Sequence, residues 1–163
     1  MDKRKNKVVL SLGGNIGEVK QVFKDAIVCV KEEIGEVVLL SSIYKTKAWG
    51  VENQPDFLNQ VILIETLDAP QIVLQKCLKI EAQLGRVRKE KWQERVIDID
   101  VLFYNDELIN SEDLTVPHPF IHVRNFILYP LTDLMPEFVH PKLKTKIIEL
   151  KNKCKDNLAV VKI

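Results

Sequence analysis

Two hydrophobic periods alternate along this chain, and their order leaves few folds open. Lys7 to Leu12 is a β-rich run that stops at a glycine pair; after it Val19, Val22, Phe23, Ala26, Ile27, Val30 and Ile34 recur at helical spacing as far as Gly35. Val37 to Tyr44 and Phe57 to Thr66 are further β-rich runs. Pro70 opens a second helical pattern through Val73, Cys77, Ile80 and Leu84, with Gly85 as its stop, and Val96 to Tyr104 reads as a fourth strand. Strand, helix, strand, strand, helix, strand predicts an α+β, ferredoxin-like βαββαβ core: a mainly antiparallel sheet with helices on one face and the other face left for ligands. A C-terminal α/β extension follows, with a turn-rich stretch, a helix from about His122 to Leu134, and a Lys-rich helix closing on the strand-like Leu158 to Ile163.

Nothing interrupts this unit. No repeat, low-complexity tract or Gly/Ser/Pro-rich linker divides it, so residues 1–163 are expected to form one domain. With 46% hydrophobic residues over 163, the chain can bury a sizeable core without disulfides. The net charge of +1 gives no global pull toward nucleic acid or an anionic membrane, so any cationic site must be local. Cys29, Cys77 and Cys154 are odd in number and widely spaced, which fits a reducing cytoplasm better than a disulfide framework. The basic start is followed by an apolar run too short for an export signal, and no stretch approaches the roughly 20 apolar residues of a membrane span.

The sharpest chemical feature is Asp98-Ile99-Asp100 inside the apolar fourth strand. Side chains alternate along a strand, so both carboxylates point to one face while Ile97, Ile99 and Val101 point to the other. Neighbouring carboxylates repel, and either nearby Arg and Lys or a hard divalent cation relieves that; Mg²⁺ suits two monodentate oxygens because it keeps waters and accepts phosphate oxygens elsewhere. Just upstream runs the cationic segment Arg86 to Arg95, and cations beside an acid pair are what a polyphosphate needs. There is no G-x-x-x-x-G-K-[ST] loop and no G-x-G-x-x-G fingerprint, so side chains and metal would have to hold a nucleotide.

Four blocks then fall in register. Gly13-Gly14-Asn15-Ile16-Gly17 opens the chain, followed by Gln54-Pro55-Asp56-Phe57-Leu58-Asn59, Gly85-Arg86-Val87-Arg88-Lys89 with Arg95-Val96-Ile97-Asp98-Ile99-Asp100, and Val116-Pro117-His118-Pro119. Over nearly its whole length the chain resembles the 6-hydroxymethyl-7,8-dihydropterin pyrophosphokinases of folate synthesis. The resemblance implies transfer of a diphosphate from ATP to a pterin hydroxymethyl group. Asp98 and Asp100 would hold two Mg²⁺ ions; Arg86, Arg88 and Arg95 would grip phosphates; Glu81, Val101, Thr115, His118 and Arg124 would line the nucleotide. Phe57 and Phe126 would sandwich the pterin, with Asn59, Thr46 and the following Ala48 and Trp49 at its edge and Trp92 as a lid. It implies small-molecule partners only, ATP and the pterin, in a monomer. Trp92-Gln93-Glu94-Arg95 stands where that family has Trp-Gly-Pro-Arg, Gly14 replaces its serine, and Ala48-Trp49 replaces a proline and an aliphatic residue. Two rivals stand beside it: a non-catalytic ferredoxin-like module binding single-stranded RNA on its open sheet face, where two acids would repel phosphate without metal, and a metal-dependent nuclease or nucleotidyltransferase built on the same Asp-x-Asp.

Overall fold

A computed structural model of the chain describes residues 5–47, 55–85 and 96–163. The core elements are β1 (Asn6–Gly14), α1 (Val19–Glu33), β2 (Glu36–Leu40), β3 (Tyr44–Thr46), β4 (Phe57–Thr66), α2 (Pro70–Leu84) and β5 (Asp98–Tyr104). The extension adds the short hairpin β6 (Ile109–Asn110) and β7 (Thr115–Val116), a 3₁₀ turn at Ile121–Val123, α3 (Asn125–Leu134), α4 (Ile147–Lys153) and β8 (Val161–Lys162). The sheet runs β5-β1-β4-β3-β8, with β2 also paired to β4 and every pairing antiparallel.

Where one second strand was expected from Val37 to Tyr44, the sheet holds two, because Ser41 breaks it. The Ser41 hydroxyl accepts the Val61 N–H at 2.9 Å, taking the place of a backbone carbonyl, and the Ser41 carbonyl takes the Gln60 side-chain amide instead. The expected helix from His122 is likewise two pieces: Arg124 is extended (φ −128°, ψ 106°) and separates the 3₁₀ turn from α3.

Val8, Leu10, Leu12, Ile62, Ile64, Ile99 and Val101 project to one face, where they are buried against Phe23, Ala26 and Val30 of α1 and Val73, Cys77 and Ile80 of α2. The opposite face, expected to lie open, is half covered. Val9, Val61, Leu102 and Phe103 meet Ile127, Leu128 and Leu131 of α3 and Ile147 and Leu150 of α4 in a second core. Each fully buried Leu or Ile there contributes on the order of 2 kcal/mol, so a bare sheet at this end would be costly. β5 changes character along its length to suit. Its register against β1 shifts between Leu10, which pairs with Val101, and Val9, which pairs with Phe103, leaving Leu102 as an extra residue, so Leu102 and Phe103 both enter the second core. The uncovered end of that face carries the polar residues.

Candidate active site

One row of the sheet frames the site. Asp98 of β5 pairs with Gly13 of β1, Gly13 pairs with Asn59 of β4, and Asn59 pairs with Tyr44 of β3, so these residues lie side by side on the face that α3 and α4 half cover, with Tyr44 packed on α3. On one side of this row Asp100 pairs with Ser11, and on its other side Thr46 pairs with Phe57. Two strand spacings separate the Asp98 and Asn59 positions, roughly 10 Å. Gly13 between them keeps that span clear: a Cβ there would stand 2.9 Å from the Asn59 Oδ1. Asn59 itself is buried, so its amide stands in a half-enclosed site.

Above this row opens a cleft of about 250 Å³ lined by Ser11, Gly13, Thr46, Lys47, Phe57, Asn59, Asp98, Asp100, Arg124, Phe126, Ile127 and Leu158. Aromatic rings, an amide and two carboxylates therefore converge on one space. Arg124, expected along a nucleotide, has its side chain in this cleft, with the guanidinium 4.9 Å from the Phe120 ring centroid and 5.6 Å from that of Phe126, and its charge also acts on His118. Cation–π attraction to two faces accounts for that placement.

A second cleft, about 390 Å³, lies on the other side of β5 and is lined by Leu74, Leu78, Glu81, Asp98, Ile99, Asp100, Val101, Asp113, Leu114, Thr115, His118 and Pro119. β5 is the sheet's edge strand, and its outward Ile99 N–H is taken by the Glu81 carboxylate of α2 at 2.6 Å. His118 is held to the strand by its backbone N–H, which donates to the Leu102 carbonyl at 3.0 Å. Its Nδ1 accepts the Phe120 N–H at 3.2 Å, leaving the proton of the neutral ring on Nε2. Burial holds the His118 pKa below the ordinary histidine range; Asp100 opposes that shift and Arg124 adds to it.

Asp98 and Asp100 belong to both clefts and form the wall between them. Of the residues singled out by sequence, Thr46, Phe57, Asn59 and Phe126 gather on one side of that wall with Arg124, and Glu81, Val101, Thr115 and His118 gather on the other. Ala48, Trp49, Arg86, Arg88, Trp92 and Arg95 lie outside the described residues. On the first cleft, sequence reasoning missed Ser11, Lys47, Ile127 and Leu158. Lys47 directly follows Thr46 and could have been found there, whereas Leu158 carries no local signal at all.

Residues 9–136 match the family model for 7,8-dihydro-6-hydroxymethylpterin-pyrophosphokinase (HPPK). The chain belongs to that family. It is 42% identical over 144 residues to the 2-amino-4-hydroxy-6-hydroxymethyldihydropteridine pyrophosphokinase of Aquifex aeolicus, covering 88% of this chain and 89% of that protein. To its counterpart in Synechocystis it is 39% identical over 143 residues, 87% of this chain and 73% of the other. Among solved structures, wild-type Plasmodium falciparum HPPK-DHPS with pteroate shares the fold, with a TM-score of 0.76 at 18% identity. That alignment covers 94% of this chain and 45% of the Plasmodium chain, so this HPPK chain spans less than half of it. The family model stops at residue 136, short of α4, β8 and Leu158.

Proposed function

We propose that this chain transfers the β,γ-diphosphate of ATP to the hydroxymethyl oxygen of 6-hydroxymethyl-7,8-dihydropterin and releases AMP, in folate synthesis. One observation carries the reading: the Asp98–Asp100 wall, with an aromatic- and amide-lined cleft on one side and the Glu81, Thr115 and His118 cleft on the other. A flat heterocycle gains from the faces of Phe57 and Phe126, and the Asn59 amide can both donate to and accept from a lactam edge. On the far side, the His118 Nε2–H offers a donor to a nucleotide. The scissile phosphate would then sit at the wall that both clefts share, which serves in-line transfer by proximity.

The donor set fits magnesium. Asp98 and Asp100 offer hard carboxylate oxygens from one strand face, and no cluster of three or more His, Cys, Asp or Glu able to hold a metal occurs among the described residues. Water and phosphate oxygens would complete the shell, as Mg²⁺ prefers. Two such ions, when bound, would neutralise charge on the phosphate oxygens. The chain's own part is to hold both carboxylates on a rigid strand, to fix the pterin edge through Asn59, and to bring the arginines at 86, 88 and 95 to the phosphates. An RNA-binding module is disfavoured because α3 and α4 cover the apolar half of the face it would use. We read the whole of residues 1–163 as one catalytic unit, a cytoplasmic monomer. Three unpaired cysteines support the compartment, and sedimentation tests the monomer.

Incubation with Mg-ATP and the hydroxymethyl pterin should yield AMP and the pterin diphosphate in equal amounts. ADP as product, or turnover without pterin, would reject this reading.

A further inference from the structure

The C-terminal strap returns to the cleft after leaving it. From Cys154 the chain crosses the start of α3, passes Leu158 into the wall of the 250 Å³ cleft, and ends as β8 beside β3, where the Ile163 N–H donates to the Ile43 carbonyl at 2.9 Å. Asp156 organises this crossing. Its Oδ2 accepts the backbone N–H of Asn125, the first residue of α3, at 3.0 Å, and its Oδ1 accepts the N–H of Leu158 at 3.0 Å. Its backbone carbonyl takes the Asn125 side-chain amide at 2.9 Å.

This arrangement repairs a gap in the sequence. The residue before α3 is Arg124, which makes no side-chain cap, and the first turn of α3 holds no acidic residue. The unpaired N–H groups at that end, and the positive end of the helix dipole, are instead met by a carboxylate 31 positions downstream. The residues on either side of Asn125 are Arg124 and Phe126, and both line the cleft. A single carboxylate thus fixes the backbone on which Arg124 and Phe126 sit and the backbone on which Leu158 sits.

We propose that Asp156 is a positioning residue for the pterin cleft: it ties the Leu158 wall to the Arg124–Phe126 wall and so sets the cleft's width. This deepens the reading given above and rests on it, since it takes the occupant to be the pterin. It also gives the segment beyond residue 136, where the family model ends, a role in substrate recognition.

The test uses the full chain and three forms: wild type, Asp156→Ala and Leu158→Ala, each assayed well below its own unfolding midpoint. Pterin affinity is measured by calorimetry with a non-hydrolysable Mg-ATP analogue present, and hydrogen exchange is followed at the Asn125 amide. Asp156→Ala should weaken pterin binding about fivefold, the worth of a lost helix cap, and should speed exchange at Asn125. The weakening should exceed any loss in affinity for the Mg-ATP analogue alone. Leu158→Ala should weaken the pterin to a similar degree while leaving Asn125 exchange at the wild-type rate. Asp156→Ala with pterin affinity within twofold of wild type would overturn the proposal. Equal weakening of pterin and nucleotide would do so too, since it marks a merely structural role. Wild-type protein that fails to bind pterin would instead overturn the reading of the cleft.

Discussion

The carboxylate of Glu81, on α2, accepts the backbone N–H of Ile99, the residue between the two aspartates, at 2.6 Å. A helix on one face of the sheet thereby holds the edge of the strand whose other face carries Asp98 and Asp100. Glu81 sets where the acid pair stands relative to the second cleft.

Glu81→Ala should therefore act on the nucleotide side. A hydrogen bond to a charged group contributes about 1–2 kcal/mol when part-buried, so Mg-ATP affinity should fall about five- to thirtyfold. Glu81→Gln, which keeps an acceptor oxygen, should lose less. Titration of each variant with a non-hydrolysable ATP analogue checks the order; pterin affinity should stay within twofold.

Asp98→Asn and Asp100→Asn should each lower kcat about 100-fold or more, because a neutral amide binds a hard cation poorly. Asp100 is exposed and Asp98 half-buried, and neither belongs to a core. The thermal midpoint should shift by no more than about 2–3 °C. Turnover assays paired with calorimetric melts separate lost chemistry from lost fold.

Gly13→Ala places a methyl 2.9 Å from the Asn59 Oδ1. The amide is the end of a short side chain and can turn aside, and alanine in a strand is favoured over glycine by about 0.5–1 kcal/mol, so the melt should barely change. Pterin affinity should fall about tenfold as the amide leaves its position, with nucleotide affinity retained.

His140, only 3% exposed, gives the fold a pH dependence of its own. Its Nδ1 accepts the N–H groups of Lys142 and Leu143 at 3.2 and 3.0 Å, and burial, helped by His122 and Lys142, pushes its pKa down from 6.5 to about 4. The unfolded chain therefore binds a proton between pH 6.5 and 4 that the folded chain refuses. Stability from this group is present above about pH 6.5 and is lost as pH falls toward 4, by about 2–3 kcal/mol. Denaturant unfolding of wild type and His140→Asn at pH 7 and 4.5 should show a smaller acid loss in the variant, whose side-chain oxygen can accept the same turn N–H groups.

The parts of the fold legible in the sequence are those built from local signals. Phe57–Thr66 is a strand over the residues read, and α2 runs from Pro70 to the residue before Gly85. Alternation alone placed Asp98 and Asp100 on one face and Ile97, Ile99 and Val101 in the core under the helices. What failed depended on partners distant in sequence. The break at Ser41 needs Val61 opposite it, and the covering of the second face needs α3 and α4 to return to the sheet. Trp92 and the arginines at 86, 88 and 95, expected as lid and phosphate ligands, lie outside the described residues, as do Ala48 and Trp49.

The extra residue of β5 has a use beyond switching sides. Leu102 has no counterpart on β1, and its carbonyl is the one that receives the His118 N–H. Excising Leu102 would restore an unbroken zigzag and leave both acids facing the cleft, yet His118 would lose its tether. An apparent irregularity in the ladder is the hook from which one side of the second cleft hangs.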